Sequence, residues 1–124
     1  MENRVVEEEL VYKVFGIAMR IHNDLGNRFL EKVYENAMVL LLKKEGIEVE
    51  NQKEIKVHYM GEIIGDYIAD LVINNRIIVE LKTVDKITNI HKAQLLNYVK
   101  ATGFKVGLLI NFMNEKLEYQ RYIL

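Results

Sequence analysis

Cysteine is absent from this 124-residue chain, which removes disulfides, thiolate nucleophiles and cysteine-held zinc or iron–sulfur centres. Proline is absent too, and no repeat or low-complexity stretch marks a linker. Residues 1–124 therefore read as a single domain large enough to bury a core. Apolar runs such as Met38-Val39-Leu40-Leu41-Leu42 are far too short to span a bilayer, so no membrane partner is expected. The amino-terminal stretch Met1-Glu2-Asn3-Arg4-Val5-Val6-Glu7-Glu8-Glu9 lacks the basic start and apolar core of a signal peptide, and the expected location is cytoplasmic. An excess of one charge is also missing, because the net charge is −1. No overall basic field advertises nucleic-acid binding, and only a local strip through Lys82, Lys86, Lys92 and Lys100 would supply one.

What the chain does have is clear periodicity. Val6, Leu10, Val14, Ile17, Ile21 and Leu25 recur at helical spacing, which predicts a helix over about 6–25 that ends near Gly26. Asn27 is suited to cap a second helix over about 28–45, closed by Gly46, with Leu30, Val33, Tyr34, Ala37, Met38 and Leu41 along its apolar stripe. The pattern then changes to period two. Strands are expected at Glu54–Tyr59, Ile63–Ile73 and Arg76–Lys82, with turns at Met60-Gly61-Glu62 and Asn74-Asn75. A third helix runs from a cap at Thr88 or Asn89 to Thr102-Gly103, and strands follow at Phe104–Asn111 and about Leu117–Ile123. A helix between the third and fourth strands permits those two to lie parallel. The expected fold is α/β (α+β), a mixed sheet flanked by helices.

The charges worth attention lie within the apolar strands. Asp70 ends one strand, and Glu80-Leu81-Lys82 ends the next. Glu80 and Lys82 share a face, about 6–7 Å apart at roughly 3.3 Å per residue, and an antiparallel hairpin brings Asp70 near Glu80. Two readings fit. The charges can occupy a solvated face as a surface ion pair worth under about 1 kcal/mol, or two carboxylates can hold a divalent cation that offsets the cost of burying them.

Asp70, Glu80-Leu81-Lys82, and Gln94 with Tyr98, on strand, strand and helix in that order, resemble the PD-(D/E)XK nuclease superfamily. More narrowly, the chain resembles the small GxxExxY proteins almost end to end. The likeness runs through Ile21-His22-Asn23-Asp24-Leu25-Gly26, Leu30-Glu31-Lys32-Val33-Tyr34-Glu35-Asn36-Ala37, the hairpin, His91-Lys92-Ala93-Gln94-Leu95-Leu96-Asn97-Tyr98 and Gly107-Leu108-Leu109-Ile110-Asn111-Phe112. Two departures stand out: Arg28 replaces the leading Gly of the name-giving motif, and Ile68-Ala69 replace the superfamily's proline before Asp70.

The resemblance implies a restriction-endonuclease-like core and a Mg²⁺- or Mn²⁺-dependent nuclease acting on DNA, with RNA also within its reach. It assigns Asp70, Glu80 and the Leu81 carbonyl to the metal, and Lys82 to the attacking water or to charge building on the phosphate. Glu31 would complete the metal shell, or is simply a first-turn carboxylate favoured by the helix dipole. Gln94 and Tyr98 would position water or the nucleic-acid backbone, or form a buried helix face bonded to the sheet. His91, Lys86 and Lys92 are further candidates for nucleic-acid contact, with a structural role the commoner one for a helix-terminal histidine. His22 and His58 lack recognisable metal spacing, and Tyr34 is expected in the core. A chain this short has little surface with which to grip a duplex, so a homodimer is one arrangement it allows, through Val106–Ile110 if that strand lies at an edge. The competing function is a non-catalytic binding or regulatory module that keeps the fold and the metal.

Overall fold

The structure is a computed structural model that describes residues 2–124, with side chains described from Glu7 onward, so the Val6 side chain lies outside the described residues. Helix α1 (Glu2–Leu25) buries Leu10, Val11, Val14, Ala18 and Ile21 at helical spacing. It stops at Gly26, whose φ of +78° only glycine adopts at little cost, and whose N–H bonds to the His22 carbonyl at 2.9 Å.

Helix α2 (Glu31–Lys44) starts three residues later than its sequence suggests, with Leu30 rather than Asn27 at the cap. The reason is a competing set of bonds. The Asn27 amide donates to the Met113 carbonyl at 2.7 Å, and the Tyr34 hydroxyl donates to the Gly26 carbonyl at 2.6 Å while accepting from the Phe29 N–H at 3.3 Å. Tyr34 is fully buried and stacks on Phe112, with ring centroids 4.3 Å apart.

Five strands form one sheet in the order β1 (Val49–Tyr59), β2 (Glu62–Ile73), β3 (Ile77–Lys82), β4 (Val106–Asn111), β5 (Glu118–Ile123). β3 and β4 are parallel, joined through helix α3 (Asn89–Thr102), and every other neighbouring pair is antiparallel. Both hairpin turns are built on positive φ, at Met60 and Gly61 and at Asn74 and Asn75, which matches the twist of the flanking strands. β1 begins five residues earlier than its apolar pattern indicates, because Glu50, Asn51 and Lys53 pair with β2 while remaining exposed.

Alternation along the strands separates two cores. Leu71, Ile73, Ile77, Val79, Leu81, Val106, Leu108 and Ile110 pack against α1 and α2. Val72, Ile78 and Leu109 pack against Leu95, Tyr98 and Val99 of α3. β4 is buried at all six positions and flanked on both sides, so the strand that would have carried a homodimer contact offers no edge. That route to a dimer is removed.

Gly107 sets how closely α3 approaches the sheet. A Cβ there would stand 2.8 Å from Val99 Cγ2 and 2.9 Å from Leu95 Cγ, and both side chains are fully buried with no room to yield. Gly107→Ala is expected to lower stability by about 1–3 kcal/mol in urea unfolding, and an unchanged midpoint would show that α3 can slide.

Candidate functional site

The ladder between β2 and β3 runs from Ile73↔Ile77 to Leu71↔Val79 and stops there. Beyond this point β2 pairs only with β1, and β3 only with β4, so the two strands part at Asp70 and Glu80. Their side chains replace the ladder reciprocally. The Asp70 N–H donates to Glu80 Oε2 at 2.8 Å, and the Leu81 N–H donates to Asp70 Oδ2 at 2.8 Å. Strand divergence is what lets carboxylates reach backbone donors that a continued ladder would have consumed. Each carboxylate keeps one oxygen outside this exchange.

Glu80 is only 4% exposed, and burial, then the neighbouring Asp70, then Glu31 push its carboxyl up to about 8, against the pull of the Asp70 N–H and Lys82. Burial also raises Asp70, with Glu35 adding to it, while the Leu81 N–H, Lys82 and Gln52 oppose. Glu31, the first residue of α2, is raised by burial, Asp70 and Glu35, with Lys82 again opposing. Four carboxyls, those of Glu80, Asp70, Glu31 and Glu35, therefore share one field with the Lys82 ammonium, and negative charge is undercompensated at the first three.

Gln94 and Tyr98 of α3 reach the same place. The Gln94 amide donates to the Tyr98 hydroxyl at 3.1 Å, and Tyr98 is raised by burial and by Glu80 and Asp70. The Tyr67 ring lies 5.1 Å from that of Tyr98. Other expected residues are placed differently. His91 Nδ1 accepts the Thr88 N–H at 3.1 Å and so caps α3, while Lys92 sits over the Tyr122 ring at 5.1 Å, toward the β5 edge. Lys86 is exposed in the loop after β3. His22, expected to be a satisfied polar residue, donates to the Asn114 carbonyl at 2.8 Å.

Three participants escape a sequence reading centred on the strand charges. Glu35 is buried one turn after Glu31, and the i, i+4 spacing on α2 was the signal that could have found it. Gln52, on the edge strand, donates to Glu35 Oε1 at 2.6 Å, and no sequence pattern marks it. Asn111, opposite Lys82, is fully buried and ties down the loop after β3. It donates to the Val84 carbonyl at 2.8 Å and to Glu118 Oε1 at 2.9 Å, and its Oδ1 accepts the Val84 N–H at 3.1 Å.

The family model of the PD-(D/E)XK nuclease superfamily matches residues 8–122. The chain belongs to this superfamily. Its mixed five-stranded sheet with flanking helices is the superfamily's restriction-endonuclease-like α+β fold. Among solved structures, one titled "Crystal structure of SSO0001" superposes with a TM-score of 0.62 at 19% identity, over 86% of this chain and 60% of that one. This PD-(D/E)XK domain thus spans about 60% of that protein's length, and the likeness is one of fold. No curated protein matches the chain. Among the described residues no helix is long and apolar enough to cross a membrane.

PD-(D/E)XK nucleases generally use divalent metal ions, and the donor chemistry here suits one. The groups are hard oxygen donors in a desolvated setting, the donor type that hard divalent cations take. Among the described residues no group of three or more His, Asp or Glu side chains is placed to hold a metal ion. Asp70 and Glu80 spend one oxygen each on the neighbouring strand's N–H instead.

The raised Glu80 carboxyl fixes a pH dependence. Between its ordinary value of 4.5 and about 8 the folded protein holds a proton that the unfolded chain has released, so stability falls as pH rises through that window. Thermal unfolding of the metal-free protein should show a falling Tm from about pH 5 to pH 9, and Glu80→Gln should flatten the slope. A wild-type Tm that rose across the window would contradict the burial of this carboxyl.

Proposed function

We propose that the protein is a divalent-metal-dependent nuclease that hydrolyses phosphodiester bonds of DNA, with RNA also accepted, in the cytoplasm. Within the superfamily we read it as a GxxExxY protein that has lost the leading glycine to Arg28. One observation carries this reading: at the fork between β2 and β3, the buried Glu80 and the half-buried Asp70 are both raised by desolvation, and Asp70 raises Glu80 further, with Lys82 opposing in both. A group of this kind is costly to keep unless a cation occupies it.

In this reading Asp70, Glu80, the Leu81 carbonyl and Glu31 hold Mg²⁺ or Mn²⁺. The ion supplies charge neutralisation on the phosphate and an acidified water. Lys82 orients that water, or meets the charge that builds on the phosphate oxygens, as a compact cation on a flexible stem. Gln94 holds the Tyr98 hydroxyl in place, and the pair lines the approach to the scissile bond. Lys86, exposed on the loop that Asn111 anchors through Val84, is the cation best placed to meet a phosphate backbone. His91 and Lys92 contribute less, since a helix cap and the Tyr122 ring already engage them.

A net charge of −1 favours the second reading, a non-catalytic module that keeps the metal and binds without cutting. Calorimetric titration with Mn²⁺ alongside cleavage assays on single- and double-stranded DNA and RNA separates the two. Asp70→Ala and Glu80→Ala are expected to abolish metal uptake and cleavage together. Lys82→Ala is expected to leave uptake within about threefold while cleavage falls by at least about 10²-fold. Full turnover by Lys82→Ala would remove the mechanistic assignment, and metal uptake without cleavage of any substrate would support the module.

A further inference from the structure

Gln52 is the one residue of β1 with positive φ, +51°, in a strand that has no glycine there to accept that conformation. A non-glycine residue rests in the left-handed region only where its surroundings impose it. The β1–β2 register passes from Asn51↔Leu71 to Lys53↔Ala69 without pairing the residue between, so the ladder opens where Gln52 faces Asp70. Asp70 is thus released from both neighbours at once, since its N–H is already given to Glu80 on the β3 side.

The Gln52 side chain fills the opening. Its amide nitrogen donates to Glu35 Oε1 at 2.6 Å and lies 3.5 Å from Asp70 Oδ1. Glu35 is a firm anchor: buried at 3% exposure, it also takes Lys32 Nζ at 2.6 Å and the Asn51 amide at 3.2 Å on Oε2. Both Glu35 oxygens are occupied, so the carboxylate cannot turn away from Gln52 without losing a charged partner. Asp70 Oδ2 is held by the Leu81 N–H, and the Gln52 amide stands over the other oxygen.

We infer that Gln52 is a positioning residue for Asp70, anchored by Glu35 and held in place by the left-handed kink in β1. A neutral amide suits the role. It donates to one lone pair of Oδ1 and limits rotation of the carboxylate, yet brings no positive charge to compete with a cation for the second lone pair. The kink opens one rung of the ladder and lets an edge-strand side chain span α2 and β2. Catalytic consequences of this placement rest on the metal-dependent reading above; the orientation of Asp70 does not.

Two variants separate positioning from plain support. Gln52→Gly removes the amide and relieves the strained φ, so its Tm should hold or rise. Gln52→Met removes the donor at similar length and keeps the strain. In both, amide hydrogen exchange of the metal-free protein should show Leu81 exchanging at least tenfold faster, with Val79, one rung inside the intact ladder, unchanged. Mn²⁺ affinity by calorimetry should fall at least tenfold in both. If Leu81 keeps wild-type protection in both variants, or if Gln52→Gly unfolds at lower temperature and Leu81 and Val79 lose protection together, the positioning role is wrong and Gln52 is a structural tie. A wild-type protein that takes up no Mn²⁺ would overturn the metal reading alone, because the Leu81 result still decides the placement of Asp70.

Discussion

The reciprocal pair of bonds at the strand fork, Asp70 N–H to the Glu80 carboxylate and Leu81 N–H to the Asp70 carboxylate, is the constraint on which the site depends. A sheet that continued its ladder there would have satisfied those backbone groups with other backbone and left both side chains to find solvent or partners elsewhere. With the strands parted, the carboxylates satisfy the backbone instead, and in doing so are fixed in orientation within a poorly solvated pocket. The same act that repairs the sheet therefore creates the cluster's excess of negative charge. Lys82 moderates that excess, and Glu31 and Glu35 from α2 add to it.

Stability for such an arrangement comes from the two cores on either side. β3 contributes Ile77, Val79 and Leu81 to one face and Ile78 to the other, so the strand that carries Glu80 is clamped from both directions. The α2 side is locked further by Tyr34, whose ring stacks on Phe112 and whose hydroxyl closes the turn before the helix. That contact sets where α2 begins, and with it where Glu31 stands. On the opposite side Gly107 lets α3 approach closely enough for Tyr98 to come under the field of Glu80 and Asp70. The position of each functional group thus traces to a packing decision some distance away.

Much of this was legible in the sequence because it follows from periodicity and turn chemistry. The Asn74-Asn75 turn fixes the register of β2 on β3, and that register alone brings Asp70 opposite Glu80. The helix after β3 makes β3 and β4 parallel, as a crossover of that length should. What was not legible depends on competition between bonds. Asn27 has the chemistry of a cap, but the Met113 carbonyl takes its amide and the helix starts at Glu31. Gln52 has no property in sequence that distinguishes it from a surface residue, and its conformation follows from tertiary partners, Glu35 above all. His91 is a candidate for phosphate contact with a structural role the commoner expectation, and at the third position after its cap it meets the Thr88 N–H. Local rules locate elements; which of two available partners a polar side chain takes is settled by packing.

The electrostatics bear on the choice between a nuclease and a binding module. Holding nucleic acid on this face with no chemistry would be easier without Glu80, since a buried carboxyl raised to about 8 lowers the stability of the fold at neutral pH and, once ionised, repels phosphate. A neutral side chain of similar shape would still accept the Asp70 N–H. Nor does Glu80 serve the core, because Ile78, two residues earlier on the same face, fills the apolar contact with α3. A positively charged partner would favour the ionised form of this carboxyl, and in the metal-dependent reading that partner is the cation. Asp70 and Glu80 each retain an oxygen beyond the strand exchange, and Lys82 lies two residues along the same face. The local cost of the cluster is thus the physical argument for the metal-dependent reading, and it stands against the net charge of −1, which favours the module.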